Sequence, residues 1–321
     1  MQNRFIRLAA LTSLTVLLFG CAAVKRVGIG IFYKRAALPQ SQVMKNISYL
    51  ESGAGVDPQH RLNLFLPKGT NWPTLIFVHG GGWDSGDKDL KVGGADVYGN
   101  IGRFFASRGI GVAVINYTLQ PAATWREQVQ DVARATSWVH SHCSQYGGNS
   151  QNIFLMGHSA GAQLAAHVAL NSKLWITNES VYHAIRGVIC VSGAGLDLTD
   201  KTTYALGENL SYYEARFRAG DSADWQREAS PVTYIEPGAP PFLILYGGHE
   251  KDSLKRQAQL LSHALSEKDI KNQLVAVPRQ NHTRIVLTLS RPDKTAGPAI
   301  LTFIKTSGLA TNSLPGFSSS P

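Results

Sequence analysis

Six apolar or nearly apolar runs divide the chain, at residues 73–78, 110–117, 152–156, 185–191, 241–246 and 273–277. Runs of this length are typical of strands that are buried on both faces of a parallel sheet. Segments with helical periodicity separate them, at residues 97–107, 124–146, 162–170, 253–268 and 284–305. Strands that alternate with helices predict an α/β fold, in which helices cover both faces of a mostly parallel sheet.

Two shorter segments of alternating polarity, 46–51 and 60–66, precede these strands. They predict an antiparallel hairpin at one edge, which makes the sheet eight-stranded. Residues 196–238 follow no clear period and are rich in Tyr, Asp and Ser, so we interpret them as a small cap insertion. One domain at 46–305 accounts for the whole pattern, and the Ser/Gly/Pro-rich tail at 306–321 is expected to be disordered.

The composition is typical of a globular protein with a sizeable core, since 44% of the 321 residues are hydrophobic and 17% are charged. The formal net charge is +9. The basic residues form only short clusters and no stripe interleaved with aromatic residues, which argues against nucleic-acid binding. A basic surface beside an anionic membrane explains the charge more simply, and solubility alone is the alternative.

The N-terminus has the pattern of a bacterial export signal. Arg4 and Arg7 precede an apolar segment at 8–19 that is too short to span a bilayer. The segment ends in Leu-Phe-Gly-Cys, which resembles a lipobox, so Cys21 is a candidate for lipidation. Phe19 departs from the smaller residue that is usual there. An ordinary signal peptide and an uncleaved anchor are the alternatives.

This interpretation makes residues 1–20 a lipoprotein signal peptide and 21–45 a tether and lead-in. Removal of 1–20 takes away two arginines and no acidic residue, which lowers the net charge from +9 to +7. The expected location is the bacterial cell envelope, with a membrane lipid anchor and the folded domain in the periplasm. Ala22 after the cysteine, by resemblance to bacterial lipoproteins, favours the outer membrane over the inner one.

A Gly-x-Ser-x-Gly motif at residues 157–161 lies between a predicted strand and a predicted helix. A serine hydroxyl is a weak nucleophile, so it must be held clear of the sheet and within reach of a base. A sharp turn between strand and helix achieves this, and it requires small neighbouring residues. The motif predicts that Ser159 is a catalytic nucleophile. A glycine-rich turn without catalytic function is the simpler alternative.

A His-Gly-Gly-Gly-Trp segment, residues 79–83, directly follows the strand at 73–78. Acyl transfer builds negative charge on a carbonyl oxygen, and each preorganised N–H donor aimed at it contributes about 3–4 kcal/mol. Glycines allow such a close backbone approach. We therefore expect an oxyanion hole from the N–H groups of Gly81, Gly82 and Ala160. Trp83 either lines the acyl pocket or packs beneath the loop, and a flexible glycine turn is the alternative for the whole segment.

A catalytic serine of this kind works in a triad with a histidine base and an acid, and in α/β folds with this turn the three follow in the chain order Ser, acid, His. The general base is therefore expected to be a histidine late in the chain. His282 follows the strand at 273–277, where a loop would carry it to the end of the sheet. His158 is expected to be a packing residue. The other histidines considered lie on predicted helices and suit solvated or packed positions: His140, His142, His167 and His263.

The acid should follow the strand at 241–246, where it can orient the imidazole. Glu250 lies three residues after Gly247 and Asp252 two residues later, where Asp252 would equally cap the next helix. The spacing favours Glu250, although Asp is the commoner acid, and Asp252 stays open as the alternative. Asp197, after the preceding strand, is a third candidate.

Cys143 and Cys190 remain if Cys21 carries lipid. An oxidising compartment permits a disulfide between them, but a cysteine in a core strand usually behaves as a small buried hydrophobic residue, so whether they pair stays open. No Cys/His spacing suggests a metal site, and the expected chemistry requires no metal or organic cofactor.

Together these motifs resemble the α/β-hydrolase superfamily, in its esterase/lipase branch with an HGGG oxyanion loop. Segments around Asn116, 131–139, 146–149 and 155–162 are similar to the isoprenylcysteine methylesterase and kynurenine formamidase group, which overlaps the bacterial feruloyl-esterase-like domains. The resemblance carries the serine, the histidine and the oxyanion glycines over to this chain. Aligned through Arg256, it also favours Glu250 as the acid, with Glu in place of Asp.

The expected function is therefore that of a carboxylesterase-type serine hydrolase, which cleaves a small-molecule ester through an acyl-enzyme. An arylformamidase that cleaves an N-formyl amide would use the same residues. A non-catalytic envelope scaffold that kept the fold is the alternative from another class. The sequence leaves the physiological ester, its acyl-chain length and the oligomeric state open.

Overall fold

The structure, a computed structural model, describes residues 33–50, 57–218, 222–292 and 294–309. Its strands are β1 (Val43–Ser48), β2 (Arg61–Phe65), β3 (Trp72–Val78), β4 (Lys91–Val92), β5 (Ala95–Asp96), β6 (Gly111–Ile115), β7 (Gly148–His158), β8 (Ile185–Val191), β9 (Phe242–Gly247) and β10 (Asn272–Val277). Eight of them form one sheet in the order β1-β2-β6-β3-β7-β8-β9-β10. β2 is antiparallel to β1 and to β6, and the other neighbours are parallel. The predicted sheet and its edge hairpin are confirmed.

Helices cover both faces of the sheet. They are α1 (Val97–Ala106), α2 (Trp125–His142), α3 (Ala160–Leu170), α4 (Glu179–Ala184), α5 (Lys201–Ala205), α6 (Leu210–Phe217), α7 (Trp225–Ala229), α8 (Asp252–Ser266), α9 (His282–Thr288) and α10 (Ala296–Leu309). Helices α2, α3 and α8 contribute to one core cluster, and α1, α9 and α10 contribute to the other. Because strand side chains alternate between faces, Ile153 and Leu155 of β7 enter the first cluster while Phe154 and Met156 enter the second.

Helix α2 shows how local sequence sets the bounds of an element. Thr124 and Glu127 form a capping box, in which each side chain accepts a hydrogen bond from the other residue's backbone N–H. The segment predicted as one helix over 124–146 ends its α-helical part at His142 and continues as a 3-10 turn, Cys143–Tyr146. Gly147, at φ 99°, then stops it.

The insertion at 196–238 contains the short helices α5, α6 and α7 and a 3-10 turn, Pro231–Tyr234. The sequence pattern did not predict helix α4 or the small β4–β5 ribbon. Helix α10 extends to Leu309, into the segment that was expected to be disordered from 306 onward. The rest of that tail, 310–321, lies outside the described residues.

Cys143 and Cys190 are both free and buried, so they do not form a disulfide. The signal peptide, Cys21 and the first part of the tether lie outside the described residues. In the described part of the chain, no helix is long and apolar enough to cross a membrane.

The carboxyl ends of four parallel strands meet at one edge of the sheet. Val78 ends β3, His158 ends β7, Gly247 ends β9 and Val277 ends β10. Each predicted site segment follows one of these ends. The topology therefore brings segments from distant parts of the sequence to a common surface, which is where ligands bind in open α/β sheets.

Candidate active site

Ser159 lies in the sharp turn between β7 and α3. Its backbone has φ 56° and ψ −121°, a conformation that is costly for a residue with a side chain and typical of functional sites. The turn is so tight that a Cβ on Gly157 would lie 2.0 Å from the carbonyl oxygen of Gly161. This close approach explains the glycine at the first position of the motif and exposes the serine hydroxyl beyond the strand end.

Ser159, His282 and Glu250 form a continuous hydrogen-bonded chain. The Ser159 hydroxyl lies 2.9 Å from Nε2 of His282, and Nδ1 of the same ring lies 2.9 Å from Oε1 of Glu250. A neutral imidazole that donates from Nδ1 presents the Nε2 lone pair to the hydroxyl. This arrangement is able to take the serine proton as the oxygen attacks an electrophile.

Glu250 is the acidic candidate that contacts His282. Its side chain is fully buried, and its second oxygen accepts hydrogen bonds from Ser192 Oγ at 2.5 Å and from the backbone N–H of Gly247 at 3.2 Å. Burial raises the pKa of Glu250, but the hydrogen bonds from His282 and Ser192 outweigh it, so the pKa lies below its ordinary value. The group therefore stays ionised at neutral pH.

The other two acidic candidates point elsewhere. Asp252 is the first residue of α8; its side chain is 73% exposed and accepts a hydrogen bond from Lys255 Nζ at 2.9 Å. Asp197 accepts from the backbone N–H of Thr199 at 2.9 Å. Neither residue contacts His282.

Sequence reasoning missed Ser192, which directly follows β8. It is fully buried, and its φ of 46° is unusual for a non-glycine residue. Its backbone N–H donates to the Leu245 carbonyl at 2.7 Å, which holds the residue beside the end of β9. No sequence motif marks this serine, because the carboxylate that it contacts lies 58 residues away in the chain.

His158 was expected to be a packing residue, and it is buried. Its Nε2 lies 2.9 Å from the backbone carbonyl of His282, and the two rings are 4.9 Å apart. Burial and the neighbouring His282 lower the pKa of His158 to about 3. The ring is therefore neutral at pH 7, and its Nε2–H donates to the His282 carbonyl.

The glycine-rich loop after β3 runs close to the elbow, since a Cβ on Gly80 would lie 3.0 Å from the Cβ of Ser159. Two of its carbonyl groups accept hydrogen bonds from residues of the same segment. His79 Nδ1 donates to the Gly80 carbonyl at 2.8 Å, and the backbone N–H and hydroxyl of Ser85 donate to the Gly81 carbonyl at 3.0 and 2.6 Å.

A planar trans peptide directs its N–H opposite to its carbonyl. Binding of the Gly80 and Gly81 carbonyls therefore directs the N–H groups of Gly81 and Gly82 to the other side of the loop. In the described part of the chain, no protein group accepts a hydrogen bond from either. Ala160 is the first residue of α3, where N–H groups lack intrahelical acceptors. These three donors are available to a ligand.

Trp83 belongs to a core cluster and also lines a pocket beside Ser159. It is 1% exposed, and its indole N–H donates to Gln163 Oε1 at 3.2 Å. Its ring contacts Phe217 of α6 edge-on, with centroids 4.8 Å apart. The two sequence-based alternatives for this residue are thus compatible.

A pocket of about 520 Å³ opens between the elbow and the cap. One wall carries Ser159 and His282, and the facing wall carries Tyr212 and Tyr213 of α6 and Glu208. A larger groove of about 680 Å³ lies at the opposite end of the strands, beside Phe242, and contains no member of the Ser-His-Glu chain. The smaller pocket is therefore the candidate active site.

The described residues contain no cluster of His, Cys, Asp or Glu that could hold a metal ion.

The BD-FAE family model matches residues 62–265, a segment that contains the elbow, the oxyanion loop and Glu250. The chain belongs to the BD-FAE family. It is 32% identical over 209 residues to esterase LipQ of Mycobacterium tuberculosis, an alignment that covers 64% of this chain and 48% of LipQ. It is 36% identical over 162 residues to a probable isoprenylcysteine α-carbonyl methylesterase of Oryza sativa, covering 50% of this chain and 34% of that protein.

This BD-FAE chain thus spans half or less of the length of these curated relatives. The crystal structure of esterase B from Lactobacillus rhamnosis, inhibited by a tributyrin phosphonate, superposes on it with a TM-score of 0.69. That match covers 93% of this chain and 96% of the other at 22% identity, and at this identity it concerns the fold. The predicted α/β-hydrolase fold is confirmed.

Proposed function

We propose that this protein is a serine carboxylic-ester hydrolase that acts through an acyl-enzyme on a small or short-chain ester. The observation that carries the proposal is the unbroken chain of contacts from Ser159 through His282 to the buried carboxylate of Glu250, each link 2.9 Å long. Membership of the BD-FAE family and the likeness to proteins named as esterases support it.

The first half of the reaction acylates the serine. Ser159 Oγ attacks the ester carbonyl carbon while His282 Nε2 takes its proton. Glu250 keeps the imidazole oriented and stabilises the imidazolium that forms. The tetrahedral intermediate then collapses, the C–O bond to the alcohol breaks, and the proton on Nε2 passes to the leaving oxygen.

Backbone N–H groups stabilise the negative charge that develops on the carbonyl oxygen. We assign the donors to Gly81, Gly82 and Ala160, which lie on the loop and helix that flank Ser159. Water then attacks the acyl-enzyme with His282 as the base, and the acid product leaves. No step requires a metal or an organic cofactor.

The shape of the pocket supports a small substrate. Trp83, Tyr212 and Tyr213 line it together with Ser159. The volume of about 520 Å³ falls within the range of small-molecule sites. The p-nitrophenyl ester series described below tests whether short acyl chains are preferred.

The experiment compares the form lacking residues 1–21 with its Ser159→Ala variant. Both are assayed on p-nitrophenyl esters from acetate to laurate and labelled with a fluorophosphonate probe. We expect turnover to be greatest on the short esters, and both turnover and labelling to be lost in Ser159→Ala. A folded protein without turnover on any ester contradicts the proposal. Turnover of an N-formyl amide would then identify a formamidase. A folded protein with an intact Ser159 that turns over neither substrate and is not labelled by the probe would indicate a scaffold.

We further propose that the mature protein is anchored to the bacterial envelope through lipid on Cys21, with its active site in the periplasm. The positive segment and the short apolar segment of the leader, and the cysteine that directly follows it, support this. Labelled palmitate should be incorporated into the full-length protein and not into Cys21→Ser. Equal labelling of the two proteins would contradict lipidation.

A further inference from the structure

Arg216, on cap helix α6, contacts the oxyanion loop directly. Its Nε donates to the Gly82 carbonyl at 2.8 Å, and its guanidinium pairs with the Asp84 carboxylate. The guanidinium carbon lies 3.5 Å from the centroid of the Tyr212 ring. The Arg216 side chain is 17% exposed and that of Asp84 is 43% exposed, so the contact with Gly82 is better shielded from solvent than the contact with Asp84.

The loop needs such restraints because its glycines are not rigid by themselves. Gly82 has φ +62°, and glycine populates positive and negative φ about equally. His79 and Ser85 bind the Gly80 and Gly81 carbonyls from within the loop's own segment. The Gly82 carbonyl has no partner on that side. In the described part of the chain, Arg216 is its hydrogen-bond donor.

A second contact joins the same two segments. Gln120 donates from its backbone N–H to the Trp83 carbonyl at 3.0 Å and from its side-chain amide to the Arg216 carbonyl at 2.7 Å. Tyr212 comes close to the loop as well, since a Cβ on Gly82 would lie 2.4 Å from its hydroxyl oxygen. The cap helix and the oxyanion loop are therefore packed as one unit.

We propose that Arg216 is a positioning residue for the oxyanion hole, which couples the position of the cap to the direction of the loop's N–H groups. The inference rests on the proposed esterase function. His79 and Ser85 hold the loop on the N-terminal side of Gly82, and Arg216 holds the carbonyl on its C-terminal side. Loss of Arg216 removes the second restraint, so we expect the Gly82 N–H to be held less precisely toward the developing oxyanion. The cap would then influence the rate of the chemical step and not only substrate binding.

The test compares Arg216→Gln, Arg216→Lys and the matched control Arg126→Gln with the wild type. Arg126 also pairs with a carboxylate on the cap, Glu228, and lies over an aromatic ring, Trp125, but it does not touch the oxyanion loop. We expect Arg216→Gln to lower kcat by about tenfold or more, with KM changed by less than about threefold. The Arg216→Lys variant should recover part of the loss, because it keeps a positively charged donor. The recovery should be incomplete, because an ammonium lacks the planar fork with which Arg216 binds the Gly82 carbonyl and Asp84 together.

The decisive readout is the preference for p-nitrophenyl acetate over the corresponding thionoester. A thiocarbonyl sulfur accepts hydrogen bonds weakly and its bond to carbon is longer, so the thionoester gains little from an oxyanion hole. If Arg216 positions the hole, Arg216→Gln should lower turnover of the oxygen ester far more than turnover of the thionoester. The control Arg126→Gln should leave the ratio unchanged.

Two results would overturn the inference. One is wild-type kcat in Arg216→Gln, and the other is a loss of kcat that is equal for the two esters, which would indicate a structural effect. If Arg216→Gln does not fold, the same comparison is made with Arg216→Lys. Under either overturning result the wild-type enzyme still hydrolyses the ester, so the proposed function stands. Absence of turnover by the wild type would overturn the function and the inference together.

Discussion

Replacement of Glu250 by Gln tests whether the buried carboxylate supports catalysis. Three donors point at this group: His282 Nδ1 at 2.9 Å, Ser192 Oγ at 2.5 Å and the Gly247 N–H at 3.2 Å. A carboxylate accepts from all three, whereas a carboxamide has one acceptor oxygen and one NH2 group. Glu250→Gln therefore either leaves its NH2 group facing the Ser192 and Gly247 donors, or turns that group to Nδ1 of His282, which must then accept instead of donate.

The expected loss of rate follows from the change at His282. The imidazole becomes an imidazolium during attack, and a hydrogen bond to a charged group contributes about 1.5–3 kcal/mol. A carboxamide that turns its NH2 group to Nδ1 also favours the tautomer that cannot accept the serine proton. Removal of this charge in a well-studied serine protease lowers kcat about 10⁴-fold. Since about 1.36 kcal/mol corresponds to tenfold, we expect kcat to fall about 10³- to 10⁴-fold, or about 4–5.5 kcal/mol.

The assay is steady-state hydrolysis of p-nitrophenyl acetate, with circular dichroism to establish that each variant is folded. The matched control is Asp252→Asn, only two residues away. The Asp252 side chain is 73% exposed and pairs with Lys255, and exposed ion pairs contribute about 0–1 kcal/mol. Its activity should stay within about twofold of the wild type. Folded Glu250→Gln with more than about one tenth of wild-type kcat would refute the reasoning, as would a large loss in Asp252→Asn alone.

The Glu250→Gln variant should also change how the free energy of unfolding depends on pH. Hydrogen bonds from His282 and Ser192 outweigh burial and lower the pKa of Glu250 below 4.5. A depressed pKa adds stability that is present above the unfolded-state pKa and is lost as pH falls through the folded-state pKa. The difference in the free energy of unfolding between wild type and Glu250→Gln should therefore be largest above pH 4.5 and shrink below it. Urea unfolding from about pH 6 to about pH 3 measures it, and a difference that grows on acidification would contradict this account.

Three further outcomes are expected. Ser192→Ala removes the 2.5 Å hydrogen bond to the Glu250 carboxylate and should lower kcat on p-nitrophenyl acetate about tenfold. An unchanged kcat would exclude a positioning role for Ser192. Gly82→Ala should lower kcat because the added Cβ would lie 2.4 Å from the Tyr212 hydroxyl oxygen. The double variant Gly82→Ala, Tyr212→Phe should recover part of the loss, because without the hydroxyl the ring carbon Cζ, 3.7 Å from the added Cβ, becomes the nearest atom of this side chain. In the form lacking residues 1–21, Cys143 and Cys190 should resist Ellman's reagent while folded, and both should react in urea without a reductant; unreactive thiols in urea would indicate a disulfide.

Local sequence was sufficient to predict the parts of the site that one strand end determines. The apolar runs predicted six strands of the sheet, and the two segments of alternating polarity predicted the edge hairpin. The carboxyl ends of β7 and β3 placed Ser159 and the oxyanion loop on one edge. The position of His282 followed from the order of the strands. Each of these features depends on the residues next to it, so a short segment carries the information.

Contacts that depend on distant segments were not predictable in this way. Ser192 touches Glu250 only because β8 and β9 are neighbours in the sheet, and Arg216 touches Gly82 only because the cap folds back over the loop. The cap pattern has no clear period, since its helices contain 5, 8 and 5 residues and bury few positions each. Which of Glu250 and Asp252 faces the histidine depends on where α8 begins, and that boundary differs by only one residue from the predicted one.

The geometry of this turn explains how a glutamate at position 250 reaches His282. The backbone N–H of Glu250 donates to the Gly247 carbonyl at 2.9 Å, which holds the residue in the turn directly after β9. The adjacent His249 donates from its backbone N–H to the Gln280 carbonyl at 2.7 Å, so the loop that carries His282 is held at a set distance from this turn. An aspartate would be one methylene shorter, and the hydrogen bond between His249 and Gln280 opposes a closer approach of the two loops. The glutamate side chain reaches His282 with one oxygen while the other accepts from Ser192, so the contact with His282 depends on the length of Glu250 and on the serine after β8 together.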